Sequence, residues 1–234
     1  MRLTHIATAI IMCCALEYSS AGTVTLSDGT FNDTAWDVVT NPAVYGYSTA
    51  TQFPLGGSPG MFREIRTVST ATNGFQVYDV TGWHFNTAQV YDPADGEILS
   101  LDYSEDALFI QGTQRLYGRI AIRQDGFLYR SKAEYLSGFS DSQWRHFELT
   151  GLTASDFEVF FNGIFLPTGN PDFSETGSPI EFGVYRELFD GSNARDIRMG
   201  LDNWQVVLTT TGIPEPTSVV LAATGALLAL RRRS

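Results

Sequence analysis

The sequence predicts an all-β protein, a two-sheet antiparallel sandwich of jelly-roll type, on three observations. No long segment repeats apolar residues at helical spacing. Short runs rich in β-branched and aromatic residues recur instead, several with strict alternation, as in 97–103 (EILSLDY) and 116–123 (LYGRIAIR). Turn dipeptides separate them: Asp28-Gly29, Asn73-Gly74, Asp95-Gly96, Asp125-Gly126, Asn162-Gly163 and Asp190-Gly191. No internal repeat is present, which argues against solenoids and propellers.

In chain order the pattern predicts strands over 23–26, 37–40, 61–68, 75–80, 97–103, 107–111, 116–123, 126–130, 144–149, 157–161, 180–188 and 195–208. Asp125-Gly126 is the clearest hairpin, because alternation runs into it and out of it. Residues 85–90 and 153–157 read as short helical turns. Asp102, Glu105 and Asp106 read as a hairpin tip between two strands.

The two ends read differently from the body. Arg2 precedes an apolar run over 6–16, and Ser19-Ser20-Ala21 offers small residues before a cut between Ala21 and Gly22. That is the layout of a secretory signal peptide. Both cysteines, Cys13 and Cys14, fall inside it, so the mature chain has no disulfide, thiol nucleophile or thiolate metal site. At the other end Pro214-Glu215-Pro216 precedes an apolar run over 219–230 and then Arg231, Arg232 and Arg233. Twelve helical residues cover about 18 Å, short of a hydrocarbon core of about 30 Å, which suits a weak transmembrane anchor held by a basic stop.

This tail resembles the PEP-CTERM sorting signal of bacteria that make exopolysaccharide. The resemblance implies processing by an exosortase near Pro214-Glu215-Pro216. The same tail is also labelled an ice-binding protein C-terminal domain, a label that follows the tail and is no sign of ice binding. The organisation is then a signal peptide at 1–21, a β-sandwich at 22–208, a linker at 209–216, and an anchor with basic tail at 217–234. The chain is expected to be exported, anchored briefly in the inner membrane, and delivered to the cell envelope or beyond.

With 43% hydrophobic residues in 234 there is material for a full core, which excludes a disordered chain. Net charge is −11. Without Arg2 and the three terminal arginines 11 basic residues remain, and without Glu17 and Glu215 there are 24 acidic ones, so the body carries about −13. Such a balance excludes sequence-independent nucleic-acid binding, which needs a basic patch.

Within the body, Gly56-Gly57-Ser58-Pro59-Gly60, the segment 144–156 (WRHFELTGLTASD) and Gly200-Leu201-Asp202-Asn203-Trp204 come in an order similar to laminin-B-like and carbohydrate-binding-module-like jelly rolls. The resemblance implies a binding or structural role, and often a structural calcium ion. Asp202, Asn203 and Asp33 are the candidate calcium ligands, because the first and last strands of sandwiches often pair and the body is acidic. The alternative is an Asx-turn at Asp33 and a strand-end contact at Asp202.

Catalytic patterns are weak. Gly56 to Gly60 matches G-x-S-x-G, but Pro59 has no N–H for an oxyanion hole, and a strand rather than a helix follows. His84 and His146 are the only histidines of the mature chain, each near a tryptophan in a strand-like pattern that suits a structural, half-buried side chain. Residues 92–97 lack the third-position ligand of an EF-hand. The carboxylates do not follow a glycosidase strand motif. The sequence therefore points to a non-catalytic structural, adhesive or glycan-binding component, with an exopolysaccharide or other glycan as partner. The alternative is a secreted carbohydrate-active enzyme on a similar sandwich. Intact mass of the exported protein is expected to show loss of residues 1–21 and of the apolar tail, and a mass that retains Arg231 to Ser234 overturns the processed-anchor reading.

Overall fold

The computed structural model describes residues 21–41, 46–70, 80–112, 116–137, 142–161, 163–188 and 195–212. The signal peptide upstream of Ala21, the Pro214-Glu215-Pro216 tail, most of the strand expected at 75–80, and the turns at Asn73-Gly74 and Asp190-Gly191 lie outside them. Among the described residues no helix is long and apolar enough to cross a membrane.

The strands are β1 Gly22–Asp28, β2 Trp36–Asn41, β3 Gly46–Gly57, β4 Gly60–Ser69, β5 Val80–Tyr91, β6 Ile98–Gln111, β7 Leu116–Gln124, β8 Phe127–Ser131, β9 Leu136–Ser137, β10 Arg145–Leu152, β11 Phe157–Phe161, β12 Ile164–Leu166, β13 Ile180–Leu188 and β14 Arg195–Thr210. They form two antiparallel sheets, the sandwich of jelly-roll type that the sequence predicts. Sheet one runs β10-β6-β14-β4-β3, with β1 also on β14. Sheet two runs β12-β11-β8-β7-β13-β5-β2, with β9 on β7. The first and last strands pair as expected, from Gly22 opposite Thr210 to Asp28 opposite Trp204. The β7–β8 hairpin turns on Asp125 (φ 53°) and Gly126 (φ 77°), the double positive φ of a two-residue turn that twists with its strands.

Three expectations need correction. Residues 85–90 belong to strand β5, not a helical turn. Residues 80–86 are buried in succession, and beyond them the polar Thr87 and Gln89 take the half-buried positions while Ala88 and Val90 are exposed, so residue type runs against burial and gives no strand pattern. Strand β3 is missing from the expected strands because its inward positions, Ser48, Ala50 and Gln52, are small or polar. Asp102, Glu105 and Asp106 are not at a hairpin tip but inside the 14-residue strand β6. Here an acidic side chain takes an inward position, so the hydrophobic alternation breaks while the backbone continues.

That inward carboxylate organises the core. Along β6 the inward residues are Leu101, Tyr103, Glu105, Ala107 and Phe109, all buried, and along β13 they are Phe182, Val184, Arg186 and Leu188. Glu105 and Arg186 sit at the seam between two apolar clusters, one around Leu101, Tyr103, Phe182 and Trp204, the other around Phe109, Leu188, Ile197 and Met199. The two sheets meet there through a fully buried ion pair, Arg186 Nη2 to Glu105 Oε1 at 2.6 Å. Tyr103 and Tyr135 donate to Glu105 Oε2 at 2.6 and 2.9 Å, and Arg186 Nη1 donates to Tyr135 at 2.9 Å. Burial works against the Arg186 charge, but Glu105 outweighs it and holds the guanidinium firmly protonated. Burial and the neighbouring Glu105 carboxylate push the Tyr103 hydroxyl well above its ordinary range.

A second polar bridge crosses the interior where His84 Nε2 lies 3.0 Å from Ser48 Oγ, itself 3.2 Å from Thr67 Oγ1. Burial first, then the charges of Arg63 and Arg186, keep His84 neutral. His84 is thus a structural histidine of the core.

Removing one partner of a buried pair strands the other charge, at a cost of about 3–5 kcal/mol. Glu105→Gln is therefore expected to lower the melting temperature by roughly 6–20 °C for a domain of this size. Thermal unfolding checks it, and the double variant Glu105→Leu with Arg186→Met is expected to recover most of the loss.

Candidate functional site

The outer faces of the two sheets differ. Sheet two is sharply curled. Strand β11 lies four places from β5, about 19 Å across a flat sheet. Yet Phe160 of β11 lies 5.9 Å from the Trp83 ring, and Phe165 of β12 lies 6.1 Å from Trp83 and 6.0 Å from Tyr185. Trp83, Phe85, Ala121 and Tyr185 are fully buried under these rings. Arg130 caps the group, over Phe165 at 3.3 Å and paired with Glu158 and Glu187 at 2.8 and 2.9 Å. The middle of this face is filled by the chain's own side chains, and a smaller cleft of about 310 Å³, lined by Val90, Arg123, Asp125 and Glu181 among others, opens beside the β7–β8 hairpin.

Sheet one carries an open face. Tyr47, Phe53 and Leu55 of β3 are exposed, Leu55 by 80%. Phe53 stacks on Phe62 at 5.2 Å, and Phe62 meets the edge of Trp144 at 5.5 Å. Trp144 reaches onto the sheet because residue 200 is glycine: a Cβ there would come within 2.6 Å of the tip of the indole. The indole N–H donates to the Gly56 carbonyl at 3.0 Å, which ties Trp144 to the β3–β4 tip.

Beside this aromatic row the strand registers build a polar cleft. One row places Ser27, Gln205, Ser104 and Glu148 opposite one another on β1, β14, β6 and β10. The next places Asp202, Asp106 and His146 opposite one another on β14, β6 and β10. A bulge between Asp202 and Gln205 separates the rows, with Asn203 at φ 49°, a left-handed conformation that asparagine tolerates. Asn203 Nδ2 donates to Asp106 Oδ2 at 2.7 Å and to the Ser58 carbonyl at 2.6 Å. His146 Nδ1 lies 2.8 Å from Asp106 Oδ1. The cleft has a volume of about 460 Å³ and is lined by Ser27, Ser104, Asp106, His146, Asn203 and Gln205, with Asp28, Gly29 and Trp204 at its end.

Asp202 and Asn203, two of the expected calcium ligands, lie at this bulge. Asp202 is buried and its two oxygens accept from the backbone N–H groups of Asn203 (2.7 Å) and Ser58 (2.5 Å). Burial raises its pKa, the two N–H groups work against the rise, and the Asp106 charge adds to it. A Cβ on residue 57 would come within 2.6 Å of Asp202 Oδ2, so the tip closes on the carboxylate only with glycine there. The third expected ligand, Asp33, pairs with Arg63 at 2.7 Å. The Asx-turn at this point belongs to Asn32, whose side chain accepts from Thr34 N. Among the described residues no three His, Cys, Asp or Glu side chains are grouped to hold a metal ion. The G-x-S-x-G segment is the β3–β4 tip, as the turn reading has it, with Ser58 engaged through its backbone. Gly22, after the expected signal cut, begins β1, and Ala21 precedes it.

Asp28 was legible only as a turn residue. Its carboxylate accepts from Thr30 N, Phe31 N and Trp36 Nε1 at 2.7–2.8 Å. Burial opposes the charge, but the bonds from Trp36, Phe31 and Thr30 outweigh it and lower the pKa. Asp28 thereby fixes the end of β1 that closes the cleft.

No protein-family model matches the chain, and no characterised protein matches it by sequence. Solved structures similar to it include a family 11 carbohydrate-binding module from Clostridium thermocellum in complex with a β-1,3-1,4-mixed-linked tetrasaccharide. That likeness has 14% identity, covers 83% of this chain and 99% of that one, and has a TM-score of 0.45. Another is TmCBM61 in complex with β-1,4-galactotriose, at 8% identity, 74% and 91% coverage and a TM-score of 0.36. A third is SGBP-B from a xyloglucan utilization locus in Bacteroides uniformis, at 14% identity, 69% and 46% coverage and a TM-score of 0.32.

Asp202→Asn replaces one N–H acceptor by a donor and is expected to cost about 1–3 kcal/mol, or roughly 2–12 °C in melting temperature. Thermal unfolding with calcium and with magnesium checks it: a calcium-specific rise that the variant abolishes would assign an ion to Asp202.

Proposed function

We propose that this chain is an exported, non-catalytic glycan-binding sandwich whose ligand lies on the outer face of sheet one. The observation that carries the reading is the placement there of two accessible aromatic rings, the exposed Phe53 and the half-buried Trp144, beside the Asp106, His146 and Asn203 cleft. Sugar rings present C–H faces that pack on aromatic rings, and hydroxyl edges that need carboxylate and amide partners. A face offering the rings alongside a polar cleft suits that dual chemistry.

The same geometry favours binding over hydrolysis. A retaining glycosidase needs two carboxyls about 5 Å apart, one free to attack. Both oxygens of Asp202 are held by backbone N–H groups, and those of Asp106 face His146 and Asn203. The tail supports delivery: an exosortase-like enzyme reading Pro214, Glu215 and Pro216 would release the sandwich from a transient membrane anchor into the envelope or matrix, where an exopolysaccharide is a natural partner.

Affinity electrophoresis in soluble polysaccharides, followed by calorimetry on the best oligosaccharide, tests the reading. Phe53→Ala and Trp144→Ala are each expected to weaken binding about tenfold, the effect of one lost ring contact. Phe127→Ala, an equally exposed ring on the β7–β8 hairpin, is the control and is expected to leave affinity unchanged. Equal effects of Phe127 and Phe53, or no glycan bound at all, would overturn the assignment.

A further inference from the structure

Resting on that reading, we infer that the ligand class is a cationic amino-sugar glycan, one that carries free ammonium groups, and that the site discriminates against uronic-acid and sulfated glycans. The charges that face the cleft decide this. Of the nine residues lining it, two are carboxylates, Asp28 and Asp106, and His146 is the only basic side chain. Asp202 lies directly behind, opposite Asp106 in the register. Glu148 stands opposite Ser104, and Asp102 lies two residues from Ser104 on the same face of β6, its Oδ1 accepting from Gly151 N.

The arginines of the same face stand at its other end and already have partners. Arg66 is bidentate to Asp196, at 2.9 and 2.7 Å, and Arg198 lies 3.6 Å from Glu64. An anionic sugar entering the cleft would meet Asp106 and Asp28, with the charges of Glu148, Asp102 and the buried Asp202 close by and only His146 among the lining residues to offset them. An ammonium meets the reverse: Asp28 and Asp202 are taken up by their protein partners and act through charge alone, but Asp106 has one partner on each oxygen and keeps lone pairs for an ammonium N–H, a charge-assisted bond about twice as strong as a neutral one. Neutral hydroxyls satisfy the Ser27, Ser104 and Gln205 row equally well in any glycan, so that row fixes the sugar without choosing its charge.

The test compares three probes by calorimetry on the purified protein: a fully deacetylated glucosamine tetramer, its fully N-acetylated counterpart, and a galacturonate tetramer. The deacetylated tetramer is expected to bind at least about tenfold more tightly than the N-acetylated one at low salt. The advantage is expected to shrink several-fold as salt rises from about 0.05 to 0.5 M, because partly exposed charges are screened. Asp106→Asn is expected to remove most of that salt-sensitive preference, whereas Glu134→Gln, on the surface of sheet two, leaves it in place. Tetralysine, with the same charge and no sugar, separates recognition from adhesion to an acidic protein and is expected to bind at least tenfold more weakly. Tetralysine binding as tightly as the deacetylated tetramer would overturn the inference. So would equal affinity for the two glucosamine tetramers, or a preference for galacturonate, while leaving a glycan-binding face intact. Loss of binding to every glycan in the Phe53→Ala and Trp144→Ala variants would uphold the face independently of the charge assignment.

Discussion

One buried ion pair sets the geometry of this sandwich. Glu105 reaches inward from sheet one and Arg186 from sheet two, and they meet where two apolar clusters abut. Apolar side chains alone would let the sheets slide, because hydrophobic contact has little direction. A carboxylate that must satisfy Arg186, Tyr103 and Tyr135 together permits one register between the sheets. The desolvation of such a pair consumes much of its Coulombic gain, so its contribution is to positioning more than to net stability.

The two outer faces follow from how each sheet manages its aromatic residues. Sheet two curls until Phe160 and Phe165 cover Trp83 and Tyr185, which makes a third small core and leaves the middle of that face closed. On sheet one Gly200 lets the Trp144 indole approach the strands closely, while Asp202 and Asn203 hold the β3–β4 tip as a wall. The positioning groups are thus separate from the groups offered to a ligand: Asp202 is consumed by backbone, and Phe53, His146 and Glu148 face solvent.

Most of the fold was legible where one face of a strand is apolar and the other is wet. The 97–103 and 157–161 strands and the Asp125-Gly126 hairpin lie where their patterns put them. The pattern failed in three physically distinct ways. In β5 the first seven residues are all buried and the next four put polar side chains at half-buried positions and apolar ones outside, so no readable alternation results. β3 has polar inward positions satisfied by other side chains, so it looks like a loop. In β6 a buried glutamate reads as a solvent-seeking charge, and only the arginine 81 residues later makes sense of it. The site was half visible. The Leu201-Asp202-Asn203 segment and Trp144-Arg145-His146 stood out as motifs, but Asp106 and Asp28 did not. Their roles depend on which strands lie side by side, which no local pattern encodes.

Strand β14 has a place in the sheet that bears on the order of assembly. It is the last of the described strands, yet it pairs with β6 on one side and with both β4 and β1 on the other. A chain emerging from its N-terminus therefore holds sheet one as unjoined pieces: β1 alone, the β3–β4 hairpin, and β6 with β10. Pairings between such distant segments are slow to form, since each closes a long loop before any contact rewards it. The aromatic row and the polar cleft are built across those same pieces, so the proposed binding face comes into being in one step, when residues 195–210 arrive to join them.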